Sequence, residues 1–263
     1  MDGRFTTVAR WTASVVQHAE ALFLPRACLS CERAIAPERE AMVCDACWAR
    51  VAFLPHPRCE RCGHPRGGES CRWCPLLPPY VRAVRSCCWV PGGVAERLLY
   101  AFKYDGWYRV ADEMALRMAR LPWPDDVHDE AVALVPVPLA AARLRRRGFN
   151  QSAVLARALA RALAPARRLE VWEHVIERTR STDTQTQLTP DQRLRNVAQA
   201  FRAGSRAPSI LCGAHVILVD DVVTTAATLN ECAATLWGAG ARIISYVTFG
   251  RARAAGDAPL TRG

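Results

Sequence analysis

Long apolar runs, acidic residues and lysine are all scarce in this sequence. No run reaches the roughly 18 to 20 apolar residues that a membrane-spanning helix requires, and no signal-peptide cleavage pattern follows the partly apolar start. We therefore expect a soluble, cytoplasmic protein with no transmembrane segment. The 25 acidic residues are outnumbered by 35 basic ones, which gives a formal net charge of +10. A positive field of this size attracts nucleic acid, phosphorylated metabolites and anionic surfaces.

Arginine supplies nearly all of the positive charge. Its planar guanidinium suits bidentate recognition of phosphate, although base composition of the gene is a competing explanation in so alanine-rich a chain. With 51% hydrophobic residues, the chain is able to bury a substantial core.

Eight of the twelve cysteines form four CxxC pairs within fewer than fifty residues. Two such pairs complete a tetrahedral site of four thiolates, and a site with no open position indicates structural zinc. In sequence order, the predicted ligands are Cys28, Cys31, Cys44 and Cys47 for one ion, and Cys59, Cys62, Cys71 and Cys74 for the other. The alternatives are a crossed pairing, redox pairs, loss of one site, and His64 as a substitute ligand.

Composition divides the chain into four predicted segments. An amphipathic helix occupies 1–25, where apolar residues between Phe5 and Phe23 recur at helical spacing, and it docks on the protein itself or on a membrane or partner. A double zinc-ribbon module follows at 26–79, an α/β domain at 80–253 and a tail at 254–263. Arginines and tryptophans of the ribbon module form either a nucleic-acid contact surface or a solvated face, and they are Arg26, Arg33, Arg58, Arg61, Arg66, Arg72, Trp48 and Trp73.

Strands alternate with helices after residue 80, which predicts a mostly parallel sheet flanked by helices. The expected strands are Val81–Val90, Ala131–Val137, Val171–Ile176, Val216–Val219 and Arg242–Phe249. The expected helices are Gly92–Tyr104, Trp107–Leu121, Asn150–Leu163 and Ala226–Trp237.

The most informative motif runs from Val216 to Leu229. A buried strand ends in Asp220 and Asp221, and a hydroxyl-rich turn then opens a helix. The turn and the helix N-terminus offer backbone N–H groups to a phosphate, and the two carboxylates are able to accept hydrogen bonds from ribose hydroxyls. The predicted ligand-binding residues of the turn are Thr224, Thr225, Ala226, Ala227 and Thr228.

This motif resembles the signature of type I phosphoribosyltransferases for 5-phosphoribosyl-1-pyrophosphate (PRPP). The resemblance implies that Asp220 and Asp221 hold the ribose hydroxyls as catalytic residues, that 224–228 hold the 5-phosphate, and that Mg²⁺ accompanies PRPP. The chain departs from the family pattern at Ala226, where glycine is usual. A methyl group at this position restricts the backbone and reshapes the phosphate site.

Further motifs make the sequence similar to the ComF/GntX family. They are Phe102–Gly106, Val135–Pro138, Arg147–Gln151 and the spaced set Arg178, Gln185, Leu188, Arg193, Asn196 and Val197. The family joins a zinc-binding N-terminus to a phosphoribosyltransferase domain and is associated with competence and DNA uptake or use. The resemblance implies PRPP as ligand and single-stranded DNA and competence proteins as candidate partners. It leaves open a phosphoribosyltransferase with an unknown acceptor, a single-stranded DNA-binding factor, or a PRPP-sensing regulator without turnover.

Two basic features complete the predicted site. Lys103 precedes a Tyr-Asp-Gly turn and is expected to place its ammonium near a pyrophosphate, as a third catalytic residue. A mobile basic loop is expected at Arg143, Arg145, Arg146 and Arg147, where it closes over PRPP or grips a nucleic-acid backbone, with a solvated face as the alternative. Thr179–Thr189 is a candidate second loop over the site or a plain surface loop.

Overall fold

The structure is a computed structural model that describes residues 26–36, 40–65, 71, 73–179, 200–253 and 257. The predicted N-terminal helix, Arg66, Arg72, the predicted loop beyond Thr179, the family motif residues from Gln185 to Val197, and the predicted tail apart from Asp257 lie outside the described residues. The chain divides into two compact units, residues 1–51 and residues 52–263. The first group of four cysteines therefore lies in one unit, and the second lies in the same unit as the main sheet.

The described part of the first unit contains one short helix, α1 (Asp45–Ala49). Its start follows Cys44, and Cys47 and Trp48 are its buried residues. A backbone bridge between Ala27 and Ala34 closes the turn that carries Cys28 and Cys31.

The second unit is built on a five-stranded parallel sheet. Its strands are β1 (Val81–Val90), β2 (Ala131–Pro136), β3 (Glu170–Val171), β6 (His215–Val223) and β7 (Ile243–Ala252), in the spatial order β1-β7-β6-β2-β3. The central strands are nearly continuous runs of buried β-branched and aliphatic residues, as expected of a parallel sheet covered on both faces. Two further strands, β4 (Ile176–Arg178) and β5 (Phe201–Ala203), form a separate antiparallel pair.

Seven further α-helices are described after α1. They are α2 (Gly93–Tyr104), α3 (Val110–Met118), α4 (Asp125–Glu130), α5 (Ala141–Arg147), α6 (Gln151–Leu163), α7 (Ala207–Leu211) and α8 (Ala227–Gly238). The α/β class, the mostly parallel sheet and its flanking helices are confirmed. None of the described helices is long and apolar enough to cross a bilayer.

Three sequence predictions need correction. The strand predicted at Val171–Ile176 is two short strands, β3 and β4, in different sheets. The strand predicted to end at Val219 continues through both acids, because Asp220, Val222 and Val223 pair with β7. The basic run predicted as a mobile loop is helix α5, which is built from good helix formers and ends at Gly148 in the left-handed conformation that glycine favours.

Candidate functional site

The eight clustered cysteines form two groups of four. Within each group the four sulfur atoms lie within 4.8 Å of one another. A zinc ion with bonds of about 2.3 Å to four thiolates separates its sulfurs by about 3.8 Å, and the Sγ atoms of Cys31 and Cys44 lie 3.8 Å apart. The Cys62 and Cys71 sulfurs lie 3.2 Å apart. The residues present therefore fit structural zinc in both places.

The pairing follows sequence order, so a crossed arrangement is wrong. The first zinc group is Cys28, Cys31, Cys44 and Cys47, and the second zinc group is Cys59, Cys62, Cys71 and Cys74. No described cysteine is in a disulfide. His64 is not part of either group, and its Nε2 lies 2.9 Å from Asp257 Oδ1 instead.

Two arginines beside the second zinc group donate to the protein's own backbone. Arg61 donates to the carbonyl oxygens of Leu77 at 3.1 Å and Pro78 at 2.9 Å, and Arg58 donates to Ser86 O at 3.2 Å. These guanidinium groups brace the zinc loops against the start and the interior of β1. A nucleic-acid contact surface needs free donors, whereas carbonyl oxygens largely occupy the donors of these two arginines.

A separate cleft of about 490 Å³ lies at the carboxyl end of β6. Open parallel sheets bind ligands at this edge, because the loops that follow the strands converge there. The cleft is lined by both acids, by the whole turn from Thr224 to Thr228, by Lys103 and by Arg147. The structure thus brings together most of the residues that the sequence predicted for a phosphoribosyl site.

Asp220 is held from two sides. Its Oδ1 accepts hydrogen bonds from Ser152 Oγ at 2.9 Å and from the backbone N–H of Asp221 at 2.8 Å. Burial, followed by the neighbouring charge of Asp221, raises the pKa of Asp220 to about 7, although these two hydrogen bonds and Lys103 act in the opposite direction. A carboxyl group whose pKa is shifted this far by burial and a neighbouring charge, and which lines a cleft, is typical of a functional site.

Lys103, the single lysine in the sequence, lies in the last turn of α2. Its Nζ lies 2.9 Å from Asp221 Oδ1. Lys103 therefore contacts the acid pair and supplies a positive charge inside the cleft, and its role beside a pyrophosphate stays a prediction.

The turn between β6 and α8 depends on Ala226. This residue is the N-cap of α8 and has φ 61° and ψ 6°, in the left-handed region that a side chain disfavours. The turn therefore adopts the conformation that glycine usually supplies, with the strain of one methyl group. The start of α8 lines the cleft together with Thr224, Thr225 and Thr228.

Helix periodicity decides which arginines of α5 reach the cleft. Arg143 and Arg147, four residues apart, line it, whereas Arg145 and Arg146 do not line it and are exposed. Burial, followed by Arg147 and Arg146, lowers the pKa of Arg143. Arg178 from β4 adds a further cation to the cleft, and its pKa is lowered by burial and then by Arg143. Cations that disfavour one another in this way favour an anionic ligand.

Sequence reasoning missed Gln151 and Ser152 as residues of the site. Both lie at the start of α6 and line the cleft. Gln151 closes one of the motifs that marked the resemblance, and Ser152 follows it directly, so proximity to that motif was the available signal.

Comparison with known proteins agrees with this geometry. A double zinc ribbon domain matches residues 19–75, and a phosphoribosyl transferase domain matches residues 150–259. The DNA utilization protein YhgH of Salmonella typhi is 33% identical over 85% of this chain and 96% of its own length. YhgH of Escherichia coli (strain K12) is 31% identical over 77% of this chain and 87% of its own length. Competence protein F of Haemophilus influenzae is 35% identical over 46% of this chain and 50% of its own length.

The chain belongs to the ComF/GntX family. Membership explains why two zinc groups and a phosphoribosyltransferase-like cleft occur in one chain. In this ComF/GntX protein the second zinc group belongs to the same compact unit as the cleft.

Proposed function

We propose that the cleft binds PRPP and that the protein is cytoplasmic and acts in the use or uptake of DNA. The names of its relatives, DNA utilization protein and competence protein, support the link to DNA. The observation that supports PRPP most strongly is the arrangement around Asp220 and Asp221. The turn at the N-terminus of α8 and the cations Lys103, Arg143 and Arg147 line the same cleft as the two acids, and Lys103 contacts Asp221. A sugar that carries hydroxyls and two anionic groups matches this set of donors and acceptors.

Magnesium fits the same donor set. Mg²⁺ is usually held by one or two carboxylates together with substrate phosphates, and the adjacent carboxylates of Asp220 and Asp221 line the cleft. When bound with PRPP, the ion neutralises charge that develops on the leaving pyrophosphate. The roles of the side chains are to orient the ribose and to attract both anionic groups.

The proposed reaction is transfer of the phosphoribosyl group. An acceptor nucleophile attacks the anomeric carbon, the bond from that carbon to the pyrophosphate oxygen breaks, and pyrophosphate leaves toward Lys103 and Arg147. Positioning and charge stabilisation then supply most of the catalysis. The acceptor is the part of the reaction that this geometry leaves open.

Calorimetric titration with Mg²⁺-PRPP tests the ligand assignment. We expect the wild type to bind and the double variant Asp220→Asn, Asp221→Asn to lose binding. Zinc content and thermal unfolding of the variant provide the control for folding. Absence of binding by the zinc-loaded wild type rejects PRPP as the ligand, whatever the variant does.

A single-stranded DNA-binding role is a second candidate, and a particular surface favours it. Four exposed aromatic side chains lie on α2 and in the segment that follows it, namely Tyr100, Tyr104, Trp107 and Tyr108. The Arg147 guanidinium lies 4.9 Å from the centre of the Tyr104 ring, and Arg145 and Arg146 are exposed nearby in sequence. Aromatic rings beside cations are typical of surfaces that stack bases and contact phosphates. PRPP would then act as a regulatory ligand without turnover.

A further inference from the structure

Gln151 is a buried residue that lines the proposed phosphoribosyl cleft. It is the first residue of α6, and its two neighbours are both anchored. Asn150 donates to Val137 O at 3.1 Å and caps the helix by accepting from the backbone N–H of Ser152. Ser152 donates to Asp220. The backbone of Gln151 is therefore held in place from both sides.

The side chain of Gln151 is buried without a partner for its amide nitrogen. It is 2% exposed and lines the cleft. Within the described part of the chain, its Nε2 has no hydrogen-bond acceptor. An unsatisfied buried donor is unfavourable, so a native protein retains one where an acceptor arrives from outside.

The surroundings indicate what that acceptor is. Nε of Arg147 is likewise buried without an acceptor among the described residues. Arg143 lines the same cleft, and its pKa is lowered by burial and by Arg147. The start of the 13-residue helix α6 contributes a positive dipole end. Four cationic side chains and three carboxyl groups line the cleft, and this excess of positive charge, together with two buried donors that lack an acceptor, indicates an anionic oxygen.

We propose that Gln151 is a ligand-binding residue that donates from Nε2 to a phosphate oxygen of the bound ligand, at an anion subsite separate from the Thr224–Thr228 turn. This assignment rests on the proposed function of the cleft. It makes Gln151 a determinant of ligand class, because it favours ligands that carry a second phosphate group in addition to the one held by the turn. A ligand with one phosphate, held by the turn, gains nothing from Gln151.

Two substitutions with little change of shape test this proposal in the full-length, zinc-loaded protein. Gln151→Met removes the donor and fills the same space, and Gln151→Glu replaces the donor with an oxygen. The probes are Mg²⁺-PRPP, Mg²⁺-pyrophosphate and ribose 5-phosphate, titrated by calorimetry. We expect Gln151→Met to weaken the binding of Mg²⁺-PRPP and of Mg²⁺-pyrophosphate about 10- to 100-fold, as loss of a hydrogen bond to a charged group does. Binding of ribose 5-phosphate should change less than about twofold, and Gln151→Glu should weaken PRPP and pyrophosphate at least as much as Gln151→Met.

Thermal unfolding without ligand separates this role from a structural one. Removal of an unsatisfied buried donor should raise the Tm of Gln151→Met by about 2–4 °C, whereas loss of a structural hydrogen bond would lower it. A lower Tm of Gln151→Met overturns the proposal. So does a loss of affinity for ribose 5-phosphate that equals the loss for PRPP.

The outcomes for the two proposals are distinguishable. If the wild type binds PRPP and Gln151→Met binds it equally well, the Gln151 assignment fails and the PRPP assignment stands. If the wild type binds pyrophosphate but not PRPP, and Gln151→Met weakens the binding of pyrophosphate, the anion subsite is supported and the assignment of PRPP as the ligand is rejected. If the wild type binds none of the probes, both fail.

Discussion

Ser152 Oγ lies 2.9 Å from Asp220 Oδ1 and joins the start of α6 to the carboxyl end of β6. The two residues are far apart in sequence, and each belongs to a different wall of the cleft. This hydrogen bond therefore fixes the acid that is proposed to hold the ribose relative to the helix that carries Gln151.

Loss of this hydrogen bond should lower the affinity for the ligand more than it lowers the stability of the fold. The Ser152 hydroxyl lowers the pKa of Asp220, so Ser152→Ala should raise that pKa and leave the carboxyl group free to rotate. We expect affinity for Mg²⁺-PRPP at pH 7 to fall about tenfold, which corresponds to about 1.4 kcal/mol. Calorimetry measures this change. Ser209→Ala is the matched control, because Ser209 is an exposed residue of α7 outside the cleft lining, and its hydroxyl donates to Arg206 O.

The raised pKa of Asp220 makes the stability of the free protein depend on pH. Burial, then Asp221, raises this pKa from 3.8 to about 7, so between these values the folded state binds a proton that the unfolded state has lost. The free energy of unfolding should therefore fall as pH rises from about 4 to 7 and level off above 7. Urea denaturation in magnesium-free buffer measures the slope. Asp220→Asn should reduce the slope and raise stability at pH 8, and an unchanged slope in this variant would contradict the assignment.

The strand and turn at Asp220 show which parts of the candidate site were predictable from the sequence. The acids, the threonines and the following helix were predictable, because they form one contiguous strand-turn-helix segment. The extension of β6 through Asp220 to Val223 was not, because it depends on pairing with Thr248, Gly250 and Arg251 of β7.

Residues brought together by tertiary structure were harder to find. Ser152 was missed because no local pattern connects it to Asp220. The basic run after residue 142 was assigned to a loop from its charge alone. Only its helical conformation shows that Arg143 and Arg147 share the face toward the cleft while Arg145 does not.

Ala226 should be replaceable by glycine with a gain in stability. A non-glycine residue with φ near 60° is strained by about 1–2 kcal/mol, and the greater freedom of glycine in the unfolded chain offsets about 0.4–1 kcal/mol of that. We expect Ala226→Gly to raise the free energy of unfolding by about 0.5–1 kcal/mol, measured with urea. Ala234→Gly, at an exposed position inside α8, should lower it by about 0.5–1 kcal/mol. If both variants lose stability equally, the turn is not strained at Ala226.

Removal of one zinc ligand from each group should have unequal effects. Cys62 is buried in a cluster with Val84 and Tyr246, and its carbonyl oxygen accepts from Arg251 Nη2 at 2.6 Å. Cys28 lies in the other compact unit. We expect Cys28→Ser and Cys62→Ser each to reduce bound zinc from two ions to one, measured by mass spectrometry.

Only the second substitution should affect the sheet. Cys62→Ser should lower the free energy of unfolding of this unit by about 4 kcal/mol or more, as loss of a metal site does, and should weaken PRPP binding with it. Cys28→Ser should leave PRPP affinity within about twofold of the wild type. The reverse ranking would show that the second zinc does not support the cleft.

The arginines of α5 should separate the two candidate functions. Arg147 lines the cleft and contacts Tyr104, whereas Arg145 and Arg146 are exposed and lie outside the cleft lining. Arg147→Gln should lower the affinity for Mg²⁺-PRPP about tenfold or more, because a charge-assisted contact to phosphate is lost. The double variant Arg145→Gln, Arg146→Gln should bind PRPP within about twofold of the wild type, since exposed charges away from a ligand contribute little.

Single-stranded DNA provides the opposite readout for the same variants. If Arg145 and Arg146 each neutralise a phosphate, the double variant should lower the dependence of log K on log salt concentration by about 1.4, since each contact contributes about 0.7. Fluorescence anisotropy of a labelled oligonucleotide between about 50 and 200 mM salt, the range over which such contacts weaken, measures that slope. An unchanged slope assigns these two arginines to the solvated surface. The arginines of α5 that face the cleft, Arg143 and Arg147, would then be the ones that contact a ligand. A reduced slope with intact PRPP binding shows that one short helix serves a phosphoribosyl ligand on one face and a nucleic-acid backbone on the other.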